Sequence, residues 1–191
     1  MKKLIQLLLI LVLLPSCESK SGRGNFKHNH NVVDESIKIP KEVEPNHNLE
    51  GKDSPYDYHI KVISITDGDT FKGLTKEERI EIKYRIYGID TPEKKQDFGA
   101  KAKNYLSELI AGKTVGIKTD SQDRYGRYIV WVYTPDGRDV SAEMLKAGMA
   151  WHYKEYDNSE LYETLEIKAK KENTGLWVDN EPVAPWDFRK K

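Results

Sequence analysis

The 191 residues carry 31 Lys and Arg against 31 Asp and Glu, so the chain lacks the positive surplus that gives tight nonspecific nucleic-acid binders most of their affinity. Cys17 is the only cysteine, which excludes an intramolecular disulfide. Any catalytic use of positive charge must therefore be concentrated locally rather than spread over the surface.

The N-terminus reads Met1-Lys2-Lys3, then an apolar run from Leu4 to Leu14 broken only by Gln6, then Pro15-Ser16-Cys17. A basic start and a short apolar stretch before small residues predict an export signal rather than a permanent membrane span. Leu14-Pro15-Ser16-Cys17 resembles a bacterial lipobox, with Pro15 as its departure, and marks Cys17 for lipidation. Loss of residues 1–17 removes Lys2 and Lys3 and no acid, leaving 29 basic against 31 acidic side chains. The expected location is extracytoplasmic, lipid-anchored to the cell envelope, with a soluble secreted or periplasmic form as the alternative.

Residues 18–57 are rich in Ser, Gly, Asn, Lys, Glu and Pro without a sustained apolar period, and are read as a flexible tether. His28, His30 and His47, each beside Asn, are read as solvated linker residues rather than a metal patch. The remainder, residues 58–186, is long enough for one core and has no internal repeat.

His59 to Ile65 predicts a strand, with a turn at Asp67-Gly68 and a return through Phe71. Arg79 to Ile89 alternates Ile80, Ile82, Tyr84 and Ile86 on one face, the period of a half-buried strand. A helix follows, with Ala102, Tyr105, Leu106, Leu109 and Ile110 at helical spacing and Gly112 as its stop. Strands are expected at Lys113–Lys118 and Tyr128–Tyr133, then helices from Val140 to Ala147 and from a cap at Asn158 through Leu161, Leu165 and Ala169. Five strands with a helix after the third give an α+β fold, a five-stranded OB-fold β-barrel with about three helices.

Three stretches carry chemistry: Asp67-Gly68-Asp69-Thr70, Arg85 through Ile89-Asp90-Thr91-Pro92-Glu93, and Asp123-Arg124-Tyr125-Gly126-Arg127. Together they supply carboxylates for a cation, a candidate base and guanidinium groups for a phosphate, which are the parts phosphodiester hydrolysis requires. Pro92 restricts Thr91 to extended geometry and carries Glu93 to one side of Asp90. Arg85 and Arg127 offer planar, always-charged, bidentate donors that lysine cannot reproduce.

The order and spacing of these segments, with Gly148-Met149-Ala150-Trp151 and Gly175-Leu176-Trp177, resemble the thermonuclease family of staphylococcal-nuclease-like enzymes from about Tyr58 to Trp177. The resemblance implies a calcium-dependent endonuclease acting on DNA and RNA and leaving 3′-phosphate ends. It implies that Asp69, Asp90 and the carbonyl of Thr91 hold Ca2+, that Glu93 is the general base or orienter of the water, and that Arg85 and Arg127 bind the reacting phosphate. Asp67 would act on the metal site from behind, through water or a hydrogen bond. Arg124, Tyr125 and Tyr153 are the candidate substrate contacts, whereas Trp151 is read mainly as packing. The segment Lys94–Gly99 is shorter than the mobile loop of the family's best-known secreted member. The alternative reading is a catalytically silent nucleic-acid or ligand-binding OB module on the envelope. The expected partners are DNA and RNA, with the membrane reached through Cys17; no protein partner is inferred and the chain is expected to be a monomer.

Overall fold

A computed structural model describes residues 54–75 and 79–190. Cys17, most of the tether and His28, His30 and His47 lie outside these residues.

Strands β1 (Tyr58–Ile65), β2 (Thr70–Thr75) and β3 (Glu81–Ile86) form an antiparallel meander. The chain then passes through a two-residue strand β4 (Ile89–Asp90) and helix α1 (Gly99–Ile110) before β5 (Thr114–Gln122) and β6 (Tyr128–Tyr133). Strand β1 pairs with β5 and β3 runs parallel to β6, so the sheet closes in the order β1-β2-β3-β6-β5. Closure leaves no unpaired barrel edge. Bulges in the pairings of β1 with β2 and β5 with β6 supply local bends.

Alternate residues fill the interior: Ile60, Val62, Phe71, Tyr84, Ile86, Val115, Ile117, Val130 and Val132 are all buried. Helix α1 closes one end with Ala102, Leu106, Leu109 and Ile110, and α2 (Val140–Lys146) adds Val140, Met144 and Leu145 to the same core. Helix α3 (Glu160–Lys171) leads to a 3-10 turn at Gly175–Val178 and a short helix α4 (Pro185–Phe188). A smaller cluster joins Ala169, Leu176 and Trp177 to Phe98 and Trp151.

The five-stranded barrel agrees with the sequence-based expectation, and β6 has the bounds expected of it. Among the described residues the barrel carries four helices and a 3-10 turn, in keeping with the expected α+β class. The strand expected over Arg79–Ile89 ends at Ile86, because Gly88 turns the backbone at φ 75° and sends Ile89 and Asp90 to pair with β7 (Trp151–His152). The cap of α3 is Ser159, whose hydroxyl accepts from Tyr162 N at 3.3 Å; Asn158 does not fill that role. Leu161 is exposed, and the inward stripe is Tyr162, Leu165, Glu166 and Ala169.

Residues flanking 58–186 on both sides also make contacts with this unit. Asp57, placed in the tether by composition, donates its N–H to Ile117 O at 2.7 Å and accepts from Thr119 N. Tyr56 packs edge-on against His59, and at the other end Arg189 is bound to the barrel rim.

Candidate active site

The turn between β1 and β2 and the end of β3 meet on one rim. Pairing of Thr70 with Arg85 sets the acidic turn beside the arginine strand. Gly68 is required there: a Cβ would come within 2.7 Å of Thr91 Oγ1 and 2.9 Å of the Ala102 side chain. The close approach lets Asp69 reach across to Thr91. Asp69 Oδ2 accepts from Thr91 N at 2.9 Å and from Thr91 Oγ1 at 2.8 Å. Thr91 therefore fixes one oxygen of a metal candidate through its N–H and hydroxyl, contacts that sequence spacing could not reveal.

Arg85 joins the two candidate metal aspartates. Its Nε lies 3.2 Å from Asp69 Oδ1 and its Nη2 lies 3.1 Å from Asp90 Oδ1, while Nη1 donates to Ile86 O at 2.6 Å. Asp69 and Asp90 are buried at 6% and 2% exposure, so their charges cannot be screened by bulk water. Burial raises the Asp90 carboxyl above the ordinary carboxylate range; the Arg189 hydrogen bond pulls it back, and negative Asp69 pushes it up. Asp67 accepts from Asp69 N at 3.2 Å, and burial followed by repulsion from Asp69 pushes its carboxyl up to about 6. The result is an acid-rich cluster bridged by guanidinium groups.

Its donors fit a hard divalent cation, because every candidate ligand is an oxygen. Among the described residues no three His, Cys, Asp or Glu side chains gather into a metal-holding group. A cation between Asp69 and Asp90 would thus complete its shell with carbonyl, water or substrate oxygens.

Arg127 approaches from the turn between β5 and β6. Its Nε is paired with Asp123 Oδ2 at 2.8 Å, and Nη1 reaches Thr70 Oγ1 at 3.4 Å. Because Thr70 is also the register partner of Arg85, the two candidate phosphate-binding arginines flank one residue of β2. Asp123 also accepts from Tyr125 N and Arg127 N, and these bonds shape the turn that presents Tyr125 to solvent. Arg124 Nη2 donates to Tyr125 Oη at 2.9 Å, with its guanidinium 4.9 Å from that ring. Arg124 and Tyr125 thus stand together on the exposed tip of the turn.

Glu93 lies in the loop between β4 and α1. Gly99 permits its approach to the helix, since a Cβ there would fall 2.0 Å from Glu93 O. Glu93 is joined to Asp90 by Arg189, whose Nη1 is 2.8 Å from Glu93 Oε1 and whose Nη2 is 2.7 Å from Asp90 Oδ2. Arg189 was not among the sequence-derived candidates, and its lysine-rich surroundings offered no signal for it. Tyr153 reaches the same side because its N–H donates to Gly88 O, but its ring is stacked on Trp186 at 5.5 Å and 5°. Burial raises the Tyr153 hydroxyl, with Asp90 adding to the rise. Trp151 packs edge-on against Trp177 at 4.4 Å, in keeping with a packing role.

The family model described as staphylococcal nuclease homologue matches residues 83–179. An uncharacterized endonuclease of Escherichia coli O157:H7 is 40% identical over 133 residues, covering 70% of this chain and 86% of the relative. One from Haemophilus influenzae is 40% identical over 131 residues, covering 69% and 72% respectively. The staphylococcal-like nuclease CAN1 of Arabidopsis thaliana is 36% identical over 128 residues, which span 66% of this chain and 39% of the plant protein.

Proposed function

The chain belongs to the family of staphylococcal nuclease homologues, and from this premise we propose that it is a calcium-dependent endonuclease hydrolysing DNA and RNA. The observation that carries the reading is the convergence of Asp69, Asp90 and Arg85 within 3.2 Å contacts, with Glu93 on one side and Arg127 across Thr70 on the other. Few structural networks need so much charge at one rim.

In this reading Asp69, Asp90 and the Thr91 carbonyl would hold Ca2+, which when bound would polarise a phosphate oxygen and lower the pKa of water. Glu93 accepts a proton from the attacking water. Arg85 and Arg127 neutralise the charge that grows on the phosphoryl oxygens. The water oxygen bonds to phosphorus as the bond to the 5′ oxygen breaks, and the departing oxygen takes a proton from solvent, leaving a 3′-phosphate and a 5′-hydroxyl. Asp67 supports Asp69 from behind, and Arg124, Tyr125 and Tyr153 contact the flanking nucleotide.

Glu93→Gln tests the central role. It should lower single-turnover hydrolysis about a hundredfold or more while oligonucleotide affinity stays near wild type, because the proton acceptor is lost and the phosphate contacts remain. Turnover close to wild type would remove Glu93 from the mechanism. End-group analysis of the products should find 3′-phosphates.

We further propose that the enzyme works outside the cytoplasm, anchored through acylated Cys17. The support is the basic and apolar run of residues 1–14 followed by the lipobox-like Pro15-Ser16-Cys17. A single acyl chain binds membranes only marginally, so stable attachment requires more than one. Cys17→Ala should shift the protein from the membrane fraction to the soluble one with nuclease activity intact; identical soluble fractionation of both forms would rule the anchor out.

A further inference from the structure

The residues after the 3-10 turn form a strap over the catalytic loop. Val183 O accepts from Gln96 Nε2 at 2.6 Å, and Gln96 Oε1 in turn accepts from Glu93 N at 3.0 Å. Ala184 and Pro185 are buried. Trp186 stacks face to face on Tyr153 and meets Trp151 edge-on at 5.6 Å. These contacts deliver Arg189 to the rim, where it bonds both oxygens of Asp90, at 3.3 and 2.7 Å, and Glu93 Oε1 at 2.8 Å. Among the described residues no other group is hydrogen-bonded to the Glu93 carboxylate.

We propose that Arg189 is a positioning residue: carried by the strap of residues 182–189, its guanidinium ties Glu93 to Asp90 and fixes where the attacking water is held. The inference rests on the reading of Glu93 as the water-activating group. Glu93 sits in a loop with no strand or helix to orient it, and its side chain is 40% exposed. Left alone, such a carboxylate samples several rotamers, and only some of them face the cation site. A planar guanidinium bridging two carboxylates sets both their separation and their relative orientation, which a single ammonium cannot do. With Arg189 itself 42% exposed, the bridge adds little to stability and acts mainly through geometry. Trp186 contributes by holding the strap against Tyr153.

The test is a double-mutant cycle in the full chain, using a single-stranded DNA oligonucleotide at saturating calcium. Arg189→Gln should lower kcat about tenfold with KM little changed, and Arg189→Lys should recover part of the loss. Because Arg189 acts through Glu93, Arg189→Gln should cost nothing further when added to Glu93→Gln; full additivity would overturn the proposal. In metal-free protein, amide exchange across residues 93–98 should quicken in Arg189→Gln, and unchanged exchange would also overturn it. Tighter calcium binding with faster turnover in Arg189→Gln would mean that the guanidinium competes with the cation rather than positioning the base. If Glu93→Gln alone is as fast as wild type, the reading of Glu93 fails and the positioning role with it. That result is distinguishable from additivity, in which Glu93→Gln remains slow.

Discussion

Asp90 and Asp139 are both acids largely withdrawn from water, yet they are held in opposite ways. Asp139 caps α2: its Oδ1 accepts from Ser141 N at 2.8 Å, and its Oδ2 accepts from Tyr162 Oη at 2.5 Å. Burial raises its carboxyl, and the Tyr162 bond opposes that rise. These are neutral donors fixed by two helices. Asp90 instead shares an arginine with Asp69 and takes a second from the strap. A carboxylate fed by backbone and hydroxyl donors locks a fold. One crowded against another carboxylate and balanced only by charged side chains has the chemistry to favour an outside cation.

The comparison separates stability from turnover. Arg127→Lys should lower nuclease turnover by about tenfold or more, since its forked geometry is lost, while melting changes by less than about 0.5 kcal/mol. Asp139→Ala should do the reverse. Loss of the cap and the orphaning of Tyr162 Oη should cost about 2–4 kcal/mol in urea unfolding, with turnover per folded molecule unchanged. If Asp139→Ala silenced the folded enzyme, the division between the two regions would fail.

A smaller effect sharpens the electrostatic half of the contrast. The Asp67 carboxyl stands at about 6 in the fold against 3.8 when unperturbed. Between those values the folded chain binds more protons than the unfolded one, so stability falls as pH rises, and the penalty is complete above the folded value. Asp67→Asn removes it. In chelator the variant should be more stable than wild type by about 1–2 kcal/mol at pH 8, after allowance for partial exposure, and no more stable at pH 3. An equal advantage at both pH values would contradict the assignment.

Much of this arrangement was legible in the sequence because it is written in local periods. The alternation of Ile82, Tyr84 and Ile86 and the spacing of Leu106, Leu109 and Ile110 each reflect one face meeting one core. The acidic turn and Arg85 were legible because charged residues next to half-buried strands require a reason. What escaped has no period. The two-residue pairing of Ile89 and Asp90 with His152 and Trp151 is too short to leave an alternation. Asn158 and Ser159 are both good caps, and only the backbone direction entering α3 selects the second. Helix α4 spans four residues, and Arg189 meets Asp90 across 99 positions of chain. Pro185 at the first helical position was the one local hint of that strap.

Asp69 and Asp90 are proposed to form an exchangeable cation site rather than a structural charge network. The direct measurement is plasmid digestion by chelator-treated enzyme, before and after restoration with calcium or magnesium at matched ionic strength. Folded but inactive protein is expected in chelator, with recovery on adding calcium and poor recovery with magnesium, which favours a compact octahedron and gives up water reluctantly. Undiminished digestion in excess chelator would contradict it.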